Sequence, residues 1–263
     1  MSETLYNTIG KGYNTTRKAD PYIAGRLHEL LSPVPGGIYL DIGCGTGNYL
    51  VALTQKGLNM RGADPSATML QEAREKNPGA ALVCANVENL PFDNDSFDGS
   101  IATFTFHHWT DKRKGLDEMH RVLKPGARLV FLSFTPEQMR GYWLYHYFPE
   151  MIQRSWELVP GIGGMEKLLN ESGFQQVTTE KYFVQDDLQD HFLYSNKYRP
   201  EAYLDEDIRK GISSFAAFST PGEVAAGLKA LEADIETGAV KEIINSYENE
   251  HGDYLFYIAE NKA

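Results

Sequence analysis

Residues 39–48 read Tyr-Leu-Asp-Ile-Gly-Cys-Gly-Thr-Gly-Asn, and this decapeptide constrains the fold more than any other stretch of the chain. An apolar run carrying Asp41 reads as a buried parallel strand. Gly43, Gly45 and Gly47, at alternate positions, then let the backbone turn tightly beneath a ligand before a helix that the pattern starts at about Thr46. A dinucleotide fingerprint requires Gly-x-Gly-x-x-Gly, but Asn48 occupies the place of its third glycine. No Gly-Lys-Ser/Thr follows, which excludes a phosphate-gripping P-loop. Asp41 would repel a pyrophosphate, so the loop suits a ligand that carries a cation close by.

The segments downstream fall at informative distances. Asp64 ends the apolar stretch from Asn59, about 20 residues after the loop, where a carboxylate can accept the two hydroxyls of a ribose. Ala80-Ala81-Leu82-Val83-Cys84-Ala85 follows, closed by Asn86-Val87 and then Leu90-Pro91-Phe92 and Asp93-Asn94-Asp95-Ser96-Phe97-Asp98. Beyond lie Phe106-His107-His108-Trp109 and Glu118-Met119-His120-Arg121-Val122-Leu123-Lys124-Pro125-Gly126. Over residues 38–135 this succession resembles the class I S-adenosylmethionine (SAM) methyltransferases of the type 11 group. It departs at Asn86, where that family usually has Asp against the adenine amino group. Asn keeps a carbonyl acceptor beside its amide donor, so binding should survive with altered strength.

The resemblance implies SAM as cofactor, S-adenosylhomocysteine as its product, and an α/β fold. The expected sheet is Rossmann-like, seven-stranded and mostly parallel in the order 3-2-1-4-5-7-6, with the last strand antiparallel and helices on both faces. It also implies a cofactor site built from Tyr13, Arg17, Asp41, Gly43, Gly45, Asp64, Pro65, Met69, Asn86, Val87 and Thr103. In that picture the N-terminal segment closes over the cofactor, and Arg17 pairs with the methionine carboxylate. The alternative is a surface arm whose aromatics fill a groove.

Periodicity gives the organisation. Ile23, Leu27, Leu30 and Leu31 share one face of a short helix over residues 21–31, Ser66 caps a helix that ends at Asn77-Pro78-Gly79, and the helix before strand five is expected to stop at Lys124-Pro125-Gly126. Strand six is expected over 174–184 and strand seven over 253–259. Between them residues 185–250 read as a helical cap. There Thr220-Pro221-Gly222-Glu223 is a capping box, and Val224, Leu228, Leu231 and Ile235 keep helical spacing. The division is thus an N-terminal arm over 1–35, a SAM-binding core over 36–184 and 251–263, and a cap that stands beside the core without sharing in its cofactor site. The aromatic run after strand five, Tyr142, Trp143, Tyr145, His146, Tyr147 and Phe148, reads either as the lining of an apolar acceptor pocket or as lid core.

Net charge is −11, with 25 basic against 36 acidic residues and no run of basic side chains. Such a surface argues against nucleic acid or anionic membrane as partner. Without a leader or an 18-residue apolar run, the reading is a cytoplasmic protein, monomer or homodimer, acting on a small molecule. Cys44 and Cys84, the chain's two cysteines, read as small buried residues, and no metal-ligand spacing occurs. Methyl transfer needs alignment and dryness above all, and a base only for a carbon or neutral amine acceptor. The base candidates are His108, His107 and Tyr6, each with a structural reading beside it. Two other function classes remain open at this level, a tRNA-modifying methyltransferase and a non-catalytic SAM-binding protein.

Overall fold

The computed structural model describes residues 16–247 and 249–262, so Tyr6 and Tyr13 lie outside the described residues. Helix α1 (Pro21–Leu31) begins at Asp20, whose carboxylate accepts from the Tyr22 and Ile23 amides at 2.9 and 3.0 Å. Strand β1 (Ile38–Ile42) is nearly all buried and lies at the middle of the sheet, between β2 (Asn59–Asp64) and β4 (Phe97–Thr103). With β3 (Ala81–Cys84), β5 (Leu123–Ser133), β6 (Phe174–Tyr182) and β7 (Tyr254–Asn261), these form one seven-stranded sheet in the order 3-2-1-4-5-7-6. Pairs among β1 to β5 are parallel, and β7 runs antiparallel to both its neighbours, as expected.

Helix α2 (Asn48–Gln55) lies against β2. That approach needs Gly62, because a β-carbon there would meet Leu50, Leu82 and Cys44 at 2.7–2.8 Å. The helix starts at Asn48 rather than Thr46, since Gly47 holds the left-handed conformation at φ 76° and serves as N-cap. Helix α3 (Ala67–Lys76) opens on Ser66, which accepts from the Met69 amide. Helix α4 (Lys112–Val122) runs straight into β5, so Lys124-Pro125-Gly126 bends the start of a strand instead of ending a helix there. The pairing with β4 slips at that bend, between Phe97 and Gly99.

After β5 come α5 (Pro136–Arg140), α6 (Leu144–Tyr147), α7 (Pro149–Trp156) and α8 (Gly164–Glu171). Tyr142, Trp143 and Phe148 are fully buried, which gives most of the aromatic run to the core. The segment between β6 and β7 is irregular as far as a 3₁₀ turn over Pro200–Leu204, then helical in α9 (Glu206–Lys210), α10 (Ser213–Ala217), α11 (Pro221–Thr237) and α12 (Val240–Ser246). Thr220 caps α11 by accepting from the Glu223 amide, but the reciprocal half of the expected capping box is not formed. The Glu223 carboxylate instead accepts from the Met151 amide of α7 at 2.8 Å. That bond docks the insert on the helices that follow β5, with Tyr147 donating to Asp234 and Ser155 to Ser214 beside it.

Candidate active site

Parallel strands deliver their C-terminal ends to one edge of the sheet, and the loops there enclose three adjoining cavities. The largest, about 400 Å³, is lined by Gly43, Pro65, Asn86, Val87, Trp109 and Thr110 among others. A second, about 40 Å³, is walled by Phe104, Phe134, Tyr142, Phe192 and Tyr254, with Arg17, His107, Leu193 and Ser214. The third, about 60 Å³, lies at the glycine loop between Arg17, Asp41, Gly45, Thr103 and Asp190. Shared walls join them. Gly43 borders the first and third, His108 the first and second, and Arg17 the second and third.

Most of the expected site residues therefore meet. Pro65, Asn86 and Val87 line the largest cavity, Asp41, Gly45 and Thr103 the glycine-loop cavity, and His107 the aromatic one. Asp64 and Met69 are absent from these walls. Asp64, at the end of β2, is only 8% exposed, and its two oxygens accept from the Gly45 amide at 2.9 Å and the Ser66 amide at 2.8 Å. It braces the loop against its neighbouring strand. Met69 is buried on α3, its amide donating to Ser66. Arg17, expected to pair with a ligand carboxylate, lines the glycine-loop cavity and donates to Asp190. Cys84, expected to be buried, is exposed at the wall of the largest cavity.

Trp109, Thr105, Tyr49 and Asp190 complete the walls, though the residue types alone did not single them out. Trp109 belongs to the Phe106-His107-His108-Trp109 stretch, which was the available signal. Asp190 carried none, because an acidic residue in an insert ordinarily faces water.

The electrostatics are specific. Burial lifts the Asp41 carboxyl well above the ordinary carboxylate range, and the charge of Asp64 pushes the same way. Asp64 is raised by burial too, against the pull of its two amide donors. A cation beside such a pair is favoured over an anion. Burial drives His107 well below the usual imidazole range, with His108 and Lys112 adding to the effect, and holds His108 down to about 3. The two rings lie 3.8 Å apart between centroids.

Three residues that line the cavities each carry a buried polar atom with no hydrogen-bond partner among the described residues. These are Trp109 Nε1 for the largest, His107 Nδ1 for the aromatic one and Thr103 Oγ1 for the glycine-loop cavity. Buried groups of this kind are ordinarily paired. A large partly apolar cavity adjoining a small one that holds an arginine, the raised Asp41 carboxyl and a glycine turn fits a nucleoside that carries a zwitterionic amino-acid tail. Among the described residues no cluster of three or more His, Cys, Asp or Glu is able to hold a metal, and no helix is long and apolar enough to cross a membrane.

Comparison with known proteins agrees with this geometry. The methyltransferase-domain profile matches residues 40–131. A demethylmenaquinone methyltransferase from Clavibacter sepedonicus is 41% identical over 122 residues, covering 44% of this chain and 50% of that protein. The chain thus spans about half the length of that curated relative. One of the same description from Beutenbergia cavernae is 31% identical over 201 residues, 66% of this chain and 82% of the relative. Among solved structures, a protein from Anabaena variabilis described as a methyltransferase assigned to an antibiotic biosynthesis pathway is 33% identical, with a TM-score of 0.83 over 92% of this chain and 98% of that one. On these matches, the chain belongs to the class I S-adenosylmethionine-dependent methyltransferases.

Proposed function

We propose that this chain moves the methyl group of SAM to a small-molecule acceptor held in the aromatic cavity, releasing S-adenosylhomocysteine. The observation that carries the reading is the meeting of the three cavities at Gly43, His108 and Arg17, which gives nucleoside, amino-acid tail and acceptor adjoining places. SAM supplies a methyl already activated by its sulfonium, so the protein's task is alignment and exclusion of water, worth about 7–11 kcal/mol when alignment is good. Pro65, Asn86, Val87 and Trp109 would hold the nucleoside, and the glycine loop, Asp41, Thr103 and Arg17 the amino-acid end.

The acceptor wall of Phe104, Phe134, Tyr142, Phe192 and Tyr254 suits a ring that stacks on aromatic faces, which is in keeping with the acceptor in the names of the Clavibacter and Beutenbergia relatives. His107 stands in the same wall, its Nδ1 buried and without a partner among the described residues. An imidazole held near 3 is a weak base, so His108 serves to hold the acceptor rather than to take its proton. The arrangement then favours an acceptor acidic enough to ionise unaided. Tyr6, the third base candidate, lies outside the described residues.

Incubation of the purified protein with metabolite extracts and SAM bearing a heavy methyl tests the reading. A product heavier by that methyl is expected, together with binding of S-adenosylhomocysteine in calorimetry. Cofactor binding without any methylated product would favour a non-catalytic SAM-binding protein.

A further inference from the structure

A dinucleotide loop would have its third glycine, the one that lets helix and strand pack closely, at residue 48, and this chain has Asn there. The Asn48 side chain is held at both ends. Its oxygen accepts from the Lys76 ammonium, at the end of α3, at 2.6 Å, and its amide nitrogen donates to the Arg17 carbonyl, before α1, at 3.0 Å. An ammonium can only donate and a backbone carbonyl can only accept. One orientation of the amide therefore satisfies both, and each bond holds the group in place for the other.

Helix α3 meets the loop at two further points. Lys76 also donates to the Thr46 hydroxyl at 3.0 Å, and a β-carbon on Gly47 would come within 3.2 Å of the Ala73 β-carbon. Ala73 and Lys76, three residues apart, share one face of α3, so a single helix face braces Thr46, Gly47 and Asn48 together. Gly47 holds φ at 76° as the N-cap of α2 with no side-chain bond to cap it, so α3 supports the turn from outside. The segment before α1 is fixed on its far side by the insert, where the His191 amide donates to the Thr16 carbonyl and the Gln189 amide to Asp20, both at 3.1 Å.

Thr46, Asn48 and Arg17 all belong to the wall of the glycine-loop cavity. We propose that Asn48 and Lys76 are a positioning pair for the cofactor's amino-acid end. Through them α3 holds the glycine loop and the segment before α1 at a fixed separation, which sets the width of the cavity between the two. The pair acts through the backbone it holds and needs no contact with the cofactor. A glycine at residue 48 would leave the two walls untied.

The inference rests on the reading of that cavity as the place of the amino-acid tail, and two ligands keep the claims apart. S-adenosylhomocysteine carries the tail; 5′-methylthioadenosine has the same nucleoside and sulfur without it. Calorimetry would compare wild type, Lys76→Met, Asn48→Ala and the double variant, with thermal melts confirming that each is folded. Each single change should weaken S-adenosylhomocysteine by about tenfold, the scale of one hydrogen bond to a charged group, and leave methylthioadenosine within about twofold of wild type. Because the two residues act through one bond, Lys76→Met should cost about threefold or less once Asn48 is already alanine. Equal losses for both ligands, none for either, or the same Lys76→Met loss in both backgrounds would overturn the positioning role. Wild type that binds neither ligand would overturn the cofactor assignment, and wild type that binds the two equally well would overturn the placing of the tail; either result takes this inference with it.

Discussion

A β-carbon placed on Gly43 would lie 2.0 Å from the Thr105 hydroxyl oxygen and 2.6 Å from its β-carbon, so the Thr105 side chain of the loop after β4 packs directly on the backbone of the glycine loop. Gly43 also sits at φ 65°, where other residues are strained. Gly43→Ala is expected to lower stability by about 1–3 kcal/mol and to weaken S-adenosylhomocysteine binding. Adding Thr105→Ala should restore part of the stability by removing the clash while leaving the backbone strain. Chemical denaturation of the two variants checks this, and a double variant no more stable than the single one would refute the contact.

The pH response of stability follows from His107. Its folded pKa lies below the unfolded value of about 6.5, so as acid is added the unfolded chain takes the proton first. The contribution is whole above about pH 6.5 and is lost as pH falls below it, by up to about 1.4 kcal/mol per pH unit. Asp41 and Asp64, raised by burial, act in the opposite sense and lose their contribution as pH rises past the ordinary carboxylate range. The difference between wild type and His107→Gln isolates the imidazole, and the variant should show the flatter profile between about pH 6.5 and 4.5. Parallel profiles would mean that His107 takes up its proton in the folded state.

Lys197 anchors the insert to the sheet. Its ammonium lies 2.7 and 3.0 Å from the oxygens of Asp253, a residue 1% exposed that also accepts from the Val184 amide. Lys197→Met leaves that carboxylate buried without its cation and should cost about 3 kcal/mol, the lower end for a buried pair because Lys197 keeps some contact with water. Asp253→Asn in the same chain should recover much of the loss. Urea midpoints of the three proteins decide it.

Nucleic acid should not bind. Many of the basic side chains are already paired: Arg26 with Glu180, Arg113 with Asp117, Arg121 with Glu118, Lys124 with Asp98 and Arg154 with Glu150. With a net charge of −11, the acidic side chains outnumber the basic ones and disfavour a phosphate backbone. Filter binding with bulk tRNA at low salt is expected to show no retention. Micromolar binding that weakens steeply with salt would reinstate the tRNA-modifying alternative.

The glycine loop, the alternation of strand and helix, and Asp41, Pro65, Asn86, Val87, Thr103 and His107 in cavity walls were legible from sequence, because each is a local demand. A tight turn needs glycine, a central parallel strand needs an apolar run, and strand ends in such a sheet face one edge. What needed the tertiary structure was non-local. Asp64 grips the Gly45 and Ser66 amides instead of lining a cavity, since a carboxylate takes whichever donors the fold brings to it. Glu223 left its capping box for the Met151 amide for the same reason. The bend at Pro125-Gly126 entered β5 because sheet pairing outweighed a local stop signal. Asp190 became part of the site only when the insert folded back onto Arg17, 173 residues away in sequence, a meeting that no periodicity or spacing encodes.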